Sequence, residues 1–91
     1  MAEGTISYDT SIMRYNAGQL SNANDATKSG IYSTASTTSN VPASGVGLIL
    51  VVGTGGWLFQ LYSPTYYQDL YFRTRDNNTW KPWKKVTMTI V

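Results

Sequence analysis

Beyond residue 30 hydrophobic and polar positions alternate with a period of two, the spacing of side chains on a pleated strand. In 57–62, Trp57, Phe59 and Leu61 fall on one face and Leu58, Gln60 and Tyr62 on the other. In 67–75, Gln68, Leu70, Phe72 and Thr74 share a face, opposite Tyr67, Asp69, Tyr71, Arg73 and Arg75. Leu70 and Phe72 are expected to point inward and the arginine face into water. Val86, Met88 and Ile90 alternate with Thr87 and Thr89, which predicts a closing strand. The run Leu48–Val52 is unbroken and apolar between glycines, the pattern of a central strand covered on both faces.

Turn residues separate these segments. Gly53-Thr54-Gly55-Gly56 predicts a hairpin turn, since glycine accepts positive φ without a steric cost. A strand follows it, not the helix that a phosphate cradle leads into. Ser63-Pro64-Thr65 breaks the next strand, and Asp76-Asn77-Asn78 reads as a tight turn. Pro82 makes Trp80–Trp83 an edge or bulged segment. If that segment is extended, Trp80 and Trp83 fall on opposite faces. Gly30–Ser33 reads as a short strand, and the Ser/Thr/Asn-rich stretch 33–44 as a surface loop. Nearer the N-terminus, Ile6, Tyr8 and Ile12 suggest a short strand, Tyr15–Gly18 a turn and Leu20–Asp25 a loop. The expected organisation is an N-terminal arm or linker over 1–26 and a knob-like β domain over 27–91. The fold class is all-β: a small antiparallel β-sandwich or barrel-like knob of about five to seven short strands.

Composition narrows the chemistry. A chain of 91 residues makes one domain with a thin core, and such chains gain stability from disulfides, a metal or oligomerisation. There is no cysteine and no histidine, so disulfides, Cys/His metal sites and Ser-His or Cys-His nucleophile pairs are excluded. Oligomerisation is what remains. Asp69 and Asp76 lie at opposite ends of one predicted strand, on the order of 20 Å apart. That exceeds the ~5–10 Å of a glycosidase pair. No enzyme, cofactor or metal is expected. The first nine residues lack a basic start and an apolar run, and Val46–Val52 is too short to cross a bilayer, so neither a leader nor membrane insertion is expected. Net charge is only +2, but Arg73, Arg75, Lys81, Lys84 and Lys85 face a single acid, Asp76, within 73–85.

Candidate binding residues cluster in the same region. Trp80 and Trp83 suit either core packing or stacking against the apolar face of a pyranose. Arg73 and Arg75 point the same way in an extended strand. They form either a solvated face stacked on the indoles or an anion-binding stripe for a surface polymer's phosphate or carboxylate. Tyr66 and Tyr67 follow Pro64 in an aromatic loop suited to a binding surface or to a contact between subunits. With Asn77 and Asn78 they complete the candidate set Tyr66, Tyr67, Arg73, Arg75, Asn77, Asn78 and Trp80.

Four pieces, in order, resemble the pyocin-knob type of domain found in phage tail fibres and phage-like bacteriocin fibres. They are Asn24-Asp25-Ala26-Thr27-Lys28-Ser29-Gly30-Ile31-Tyr32; Asn40-Val41-Pro42; the apolar strand with Gln60-Leu61-Tyr62; and Leu70-Tyr71-Phe72-Arg73-Thr74-Arg75 with Trp80-Lys81-Pro82-Trp83-Lys84. The last is the most specific. The resemblance covers about two thirds of the chain, from 22 to 86. It implies a trimeric fibre tip in the virion tail that works outside the cell. Its implied partners are two further copies of the chain, the rest of a tail fibre or baseplate, and a bacterial surface polysaccharide met during host attachment. A purely structural trimerisation or capping module is a second reading. A small barrel binding single-stranded nucleic acid is a third, favoured by basic residues among aromatics. Tyr71–Arg75 lacks the glycine of the RNA-recognition signature, so nucleic acid is not expected.

Overall fold

The computed structural model describes residues 18–43, 45–54, 56–66 and 68–91. The strand expected at Ile6–Ile12 lies outside them, as do most of the expected turn at Tyr15–Gly18 and the candidate Tyr67. The elements are β1 (Gln19–Asn22), a 3-10 turn (Ala23–Asp25), β2 (Gly30–Ser39), β3 (Gly47–Thr54), β4 (Trp57–Pro64), β5 (Leu70–Asp76), β6 (Thr79–Trp80) and β7 (Lys84–Val86). They form one curled sheet in the order β1-β2-β3-β4-β5-β6, with β7 also pairing with β5. Every pairing is antiparallel except β1 with β2. The all-β class is as read from the sequence.

The antiparallel ladder follows from its turns. Thr54 pairs with Trp57 across the glycine hairpin. Asp76 pairs with Thr79 across Asn77 and Asn78, which both have positive φ, 50° and 64°. This is the two-residue hairpin whose twist matches the strands, and asparagine tolerates it. Gly47 lies tight against β4: a Cβ there would come within 2.6 Å of the Ser63 carbonyl oxygen, so only glycine fits.

The core occupies one face of the sheet. Tyr32, Ile49, Val51, Leu58 and Tyr62 point into it, and Ala23 and Ala26 close over it from the segment joining β1 to β2. Leu20–Asp25 is therefore not a loop. Asn22 caps the 3-10 turn by accepting the Asn24 N–H (2.9 Å), and β1 runs beside β2. Nor does a loop begin at Ser33, since β2 continues to Ser39. Its polar side chains are absorbed locally: the buried Thr38 hydroxyl donates to the Leu20 carbonyl and accepts the Ala35 N–H.

Three further expectations are corrected. β3 is covered on one face only, with Leu48 55% exposed on the other. In β5 the faces are inverted: Arg73 is 5% exposed on the core side, while Leu70 and Phe72 lie half-buried on the outer side. The closing strand ends at Val86, and Met88 and Ile90 are exposed beyond it. The first two have one cause. The outer face of β3–β5 is itself apolar and nothing in the chain's described residues covers it, so hydrophobicity alone misjudges which side faces the core.

Candidate functional site

Arg73 is the centre of the polar core. Its Nε donates to the Gln60 Oε1 (2.9 Å) and its Nη2 to the Asn24 Oδ1 (2.9 Å). Gln60 is fully buried, and its Nε2 donates to the carbonyls of Ala23 (2.9 Å) and Ala26 (3.0 Å). The guanidinium carbon lies 3.8 Å from the Trp80 ring centroid and 4.4 Å from that of Trp83. Two indole faces and two neutral amides thus replace water around a buried cation. Burial pulls its pKa well below the ordinary guanidinium value, to about 10, which leaves it charged at neutral pH. Arg75 lies 5.5 Å from the Trp80 ring. Trp83 donates its indole N–H to the Asn40 carbonyl (2.9 Å) and packs its ring on Tyr62.

A bulge makes this arrangement. β5 pairs with β6 as Arg75↔Trp80, but with β7 as Phe72↔Lys84, a register one residue out of step. The Lys81 N–H still reaches the Thr74 carbonyl (2.9 Å), so Pro82 and Trp83 together oppose Arg73. One extra residue flips every later side chain to the other face. Trp80 and Trp83 therefore share the core side, correcting the expectation that they part. Lys81 and Lys84 share the outer side, with Phe72 and Thr74. The five residues Trp80-Lys81-Pro82-Trp83-Lys84 are sorted into an inward pair of rings and an outward pair of ammonium groups.

The outer face runs from Leu48 to Trp57, which are 55% and 60% exposed. Between them stand Leu50, Val52, Phe59, Leu61 and Phe72, each half-buried by its neighbours. Phe59 and Phe72 touch at a centroid distance of 5.7 Å. Soluble monomers rarely leave so continuous an apolar strip open.

The remaining expected site residues are spread along the molecule. Tyr66, 79% exposed, follows β4 at one end of the sheet, whereas Asn77 and Asn78 form the exposed turn at the other. The length of β5 separates them, on the order of 20 Å. Arg75 and Trp80 are half-buried and Arg73 is enclosed, so the arginine face is not a solvated stripe. Sequence reasoning missed Gln60, Asn24, Lys81 and Lys84. Gln60 carried a legible signal, as it shares a face with Leu58 and Tyr62.

The family model described as the XkdV N-terminal domain matches residues 3–86. The chain belongs to this family. This XkdV N-terminal domain is also similar to a solved structure, a selenomethionine N-truncated R2-type pyocin tail fibre. The two are 27% identical with a TM-score of 0.71 over 80% of this chain. The match spans 33% of the fibre chain, so this XkdV N-terminal domain corresponds to about a third of that protein's length. No curated protein sequence matches it. It is a knob-like domain related to phage tail fibres, as the Arg-x-Arg and Trp-x-x-Trp segments implied.

Proposed function

We propose that this knob-like domain closes as a homotrimer through the outer face of β3–β5, forms the tip of a tail fibre in the virion tail, and recognises a bacterial surface glycan outside the cell during host attachment. The uncovered apolar strip from Leu48 to Trp57 carries this reading. Sheet extension at the β6–β7 edge is blocked by the bulge, by Pro82 and by Lys81, Lys84 and Lys85. Among the described residues nothing covers the strip; association through the face would cover it, and other copies of the chain offer the same apolar surface. Tyr66 would present its ring to a pyranose at one end of the fibre tip, and Asn77 and Asn78 their amides at the other. Arg73 and the inward faces of Trp80 and Trp83 hold the fold together. A capping module without a glycan is the second reading, favoured by the engagement of those rings in the core.

Mass in solution tests the assembly. Light scattering is expected to give about three times 10.1 kDa for the wild type. It is expected to give the monomer mass for Leu48→Lys combined with Trp57→Lys. Both side chains are exposed in the protomer, so the double variant keeps its fold and its far-UV spectrum. A wild type that stays monomeric, or a double variant that stays trimeric, overturns the proposed interface.

A further inference from the structure

We propose that Lys81 and Lys84 form an anion-binding site for the phosphate or carboxylate groups of a surface glycan, at the β6–β7 margin of the outer face. The inference rests on the glycan reading above and names its ligand class and contact residues. Four observations carry it.

The bulge places both ammonium groups on one side of the sheet, three residues apart, where a regular strand would send them to opposite sides. Between them is a hollow of about 220 Å³ lined by Phe72, Thr74, Pro82 and the two lysines, together with Arg73. The Thr74 hydroxyl adds a neutral donor, and Phe72 and Pro82 supply an apolar floor suited to a sugar ring. Both lysines are exposed. Among the described residues the ion pair in this region joins Lys85 to Asp69 (3.4 Å), and no carboxylate approaches Lys81 or Lys84 within 4.0 Å.

Charge beneath the site works in the same direction. Arg73 lies directly below in the core, bonded to neutral amides and stacked on rings, with no carboxylate partner among the described residues. Its field is therefore not cancelled locally, and the low-dielectric core screens it less than water would. The arginines that the sequence offered as an anion stripe contribute charge, and the lysines make the contact. Lysine is a compact point charge with three rotatable donors, which a phosphodiester or uronate accepts in many geometries. Phe72 belongs to both the strip and the hollow, so the site sits at the rim of the proposed interface, with both lysines exposed in the protomer.

Binding to poly(glycerol phosphate) and to polygalacturonate tests the site, with neutral dextran and a single-stranded oligonucleotide as comparisons. The full chain is used in its solution assembly. Lys81→Gln with Lys84→Gln is expected to weaken binding to at least one of the two glycan polyanions by about tenfold. Lys28→Gln with Lys85→Gln removes the same net charge elsewhere and is expected to change it by less than about twofold. Equal loss in the two double variants, or no loss in the first, overturns the site. Tighter binding of the wild type to the oligonucleotide than to either glycan polyanion overturns the glycan ligand in favour of nucleic acid. If the wild type binds dextran or host cells but neither polyanion, this site falls while glycan recognition stands. If it binds none of these, both fall.

Discussion

Arg73 shows how a charged side chain becomes a core residue. Its planar cation is stacked between two indoles, and its N–H groups reach the side-chain amides of Gln60, anchored on two backbone carbonyls, and of Asn24, within the 3-10 turn. Removing the guanidinium leaves the Gln60 and Asn24 oxygens without a donor, while relieving the cost of burying a charge. Arg73→Met is therefore expected to lose about 1–3 kcal/mol at neutral pH. The pH dependence has a definite sign. With a folded pKa of about 10 against a higher ordinary value, the folded state releases this proton first as pH rises. Between those values the unfolded chain holds more protons, so this group's contribution to stability increases with pH and is constant below 10. Urea unfolding of both proteins at neutral pH and at two values above 10 is expected to show the wild type gaining on Arg73→Met in the alkaline range. Equal slopes would show that the cation is not desolvated.

At the level of elements, the one-residue bulge opposite Arg73 decides which side chains reach the core. Pro82→Ala preserves the count of residues and is expected to change stability by less than about 1 kcal/mol. Deleting Pro82 removes the extra residue, restores a regular register and leaves Trp83 opposite Arg73 on the core side, two positions after Trp80. Its expected cost is therefore small beside that of Trp83→Ala, about 3 kcal/mol, and thermal melts of the variants check the difference. This also explains what the sequence hid. The strands from β3 to β5 and their turns were legible, because period-two alternation and the Gly and Asn clusters are local signals. The extension of β2 was not, since its threonine hydroxyls find distant acceptors in the fold, Thr38 at the Leu20 carbonyl of β1 and Thr34 at the Gly45 carbonyl. The burial of Arg73 was hidden for a different reason. Alternation separates the two faces of a strand but does not say which one is covered, and here both faces carry large apolar side chains. The stacking of arginine on tryptophan was legible as one of two readings, yet the common facing of Trp80 and Trp83 required the bulge.

At the level of the whole molecule, a single curled sheet closes its core on one side with short segments and, among the described residues, leaves the other side open. If trimer formation covers that side, folding and association are linked, and Tm is expected to rise by a few degrees with a tenfold increase in protein concentration. Differential scanning calorimetry over a dilution series checks this, and a Tm independent of concentration would decouple the two. The placement of the three tryptophans gives the molecule its own optical probes. Trp80 and Trp83 stack against a cation inside the protomer, and their emission follows unfolding. Trp57 stands 60% exposed on the open strip, so its emission moves toward the blue when another subunit covers it. A Trp57-only variant, with phenylalanine at 80 and 83, would therefore report subunit docking as a change of colour, before any label or ligand is added.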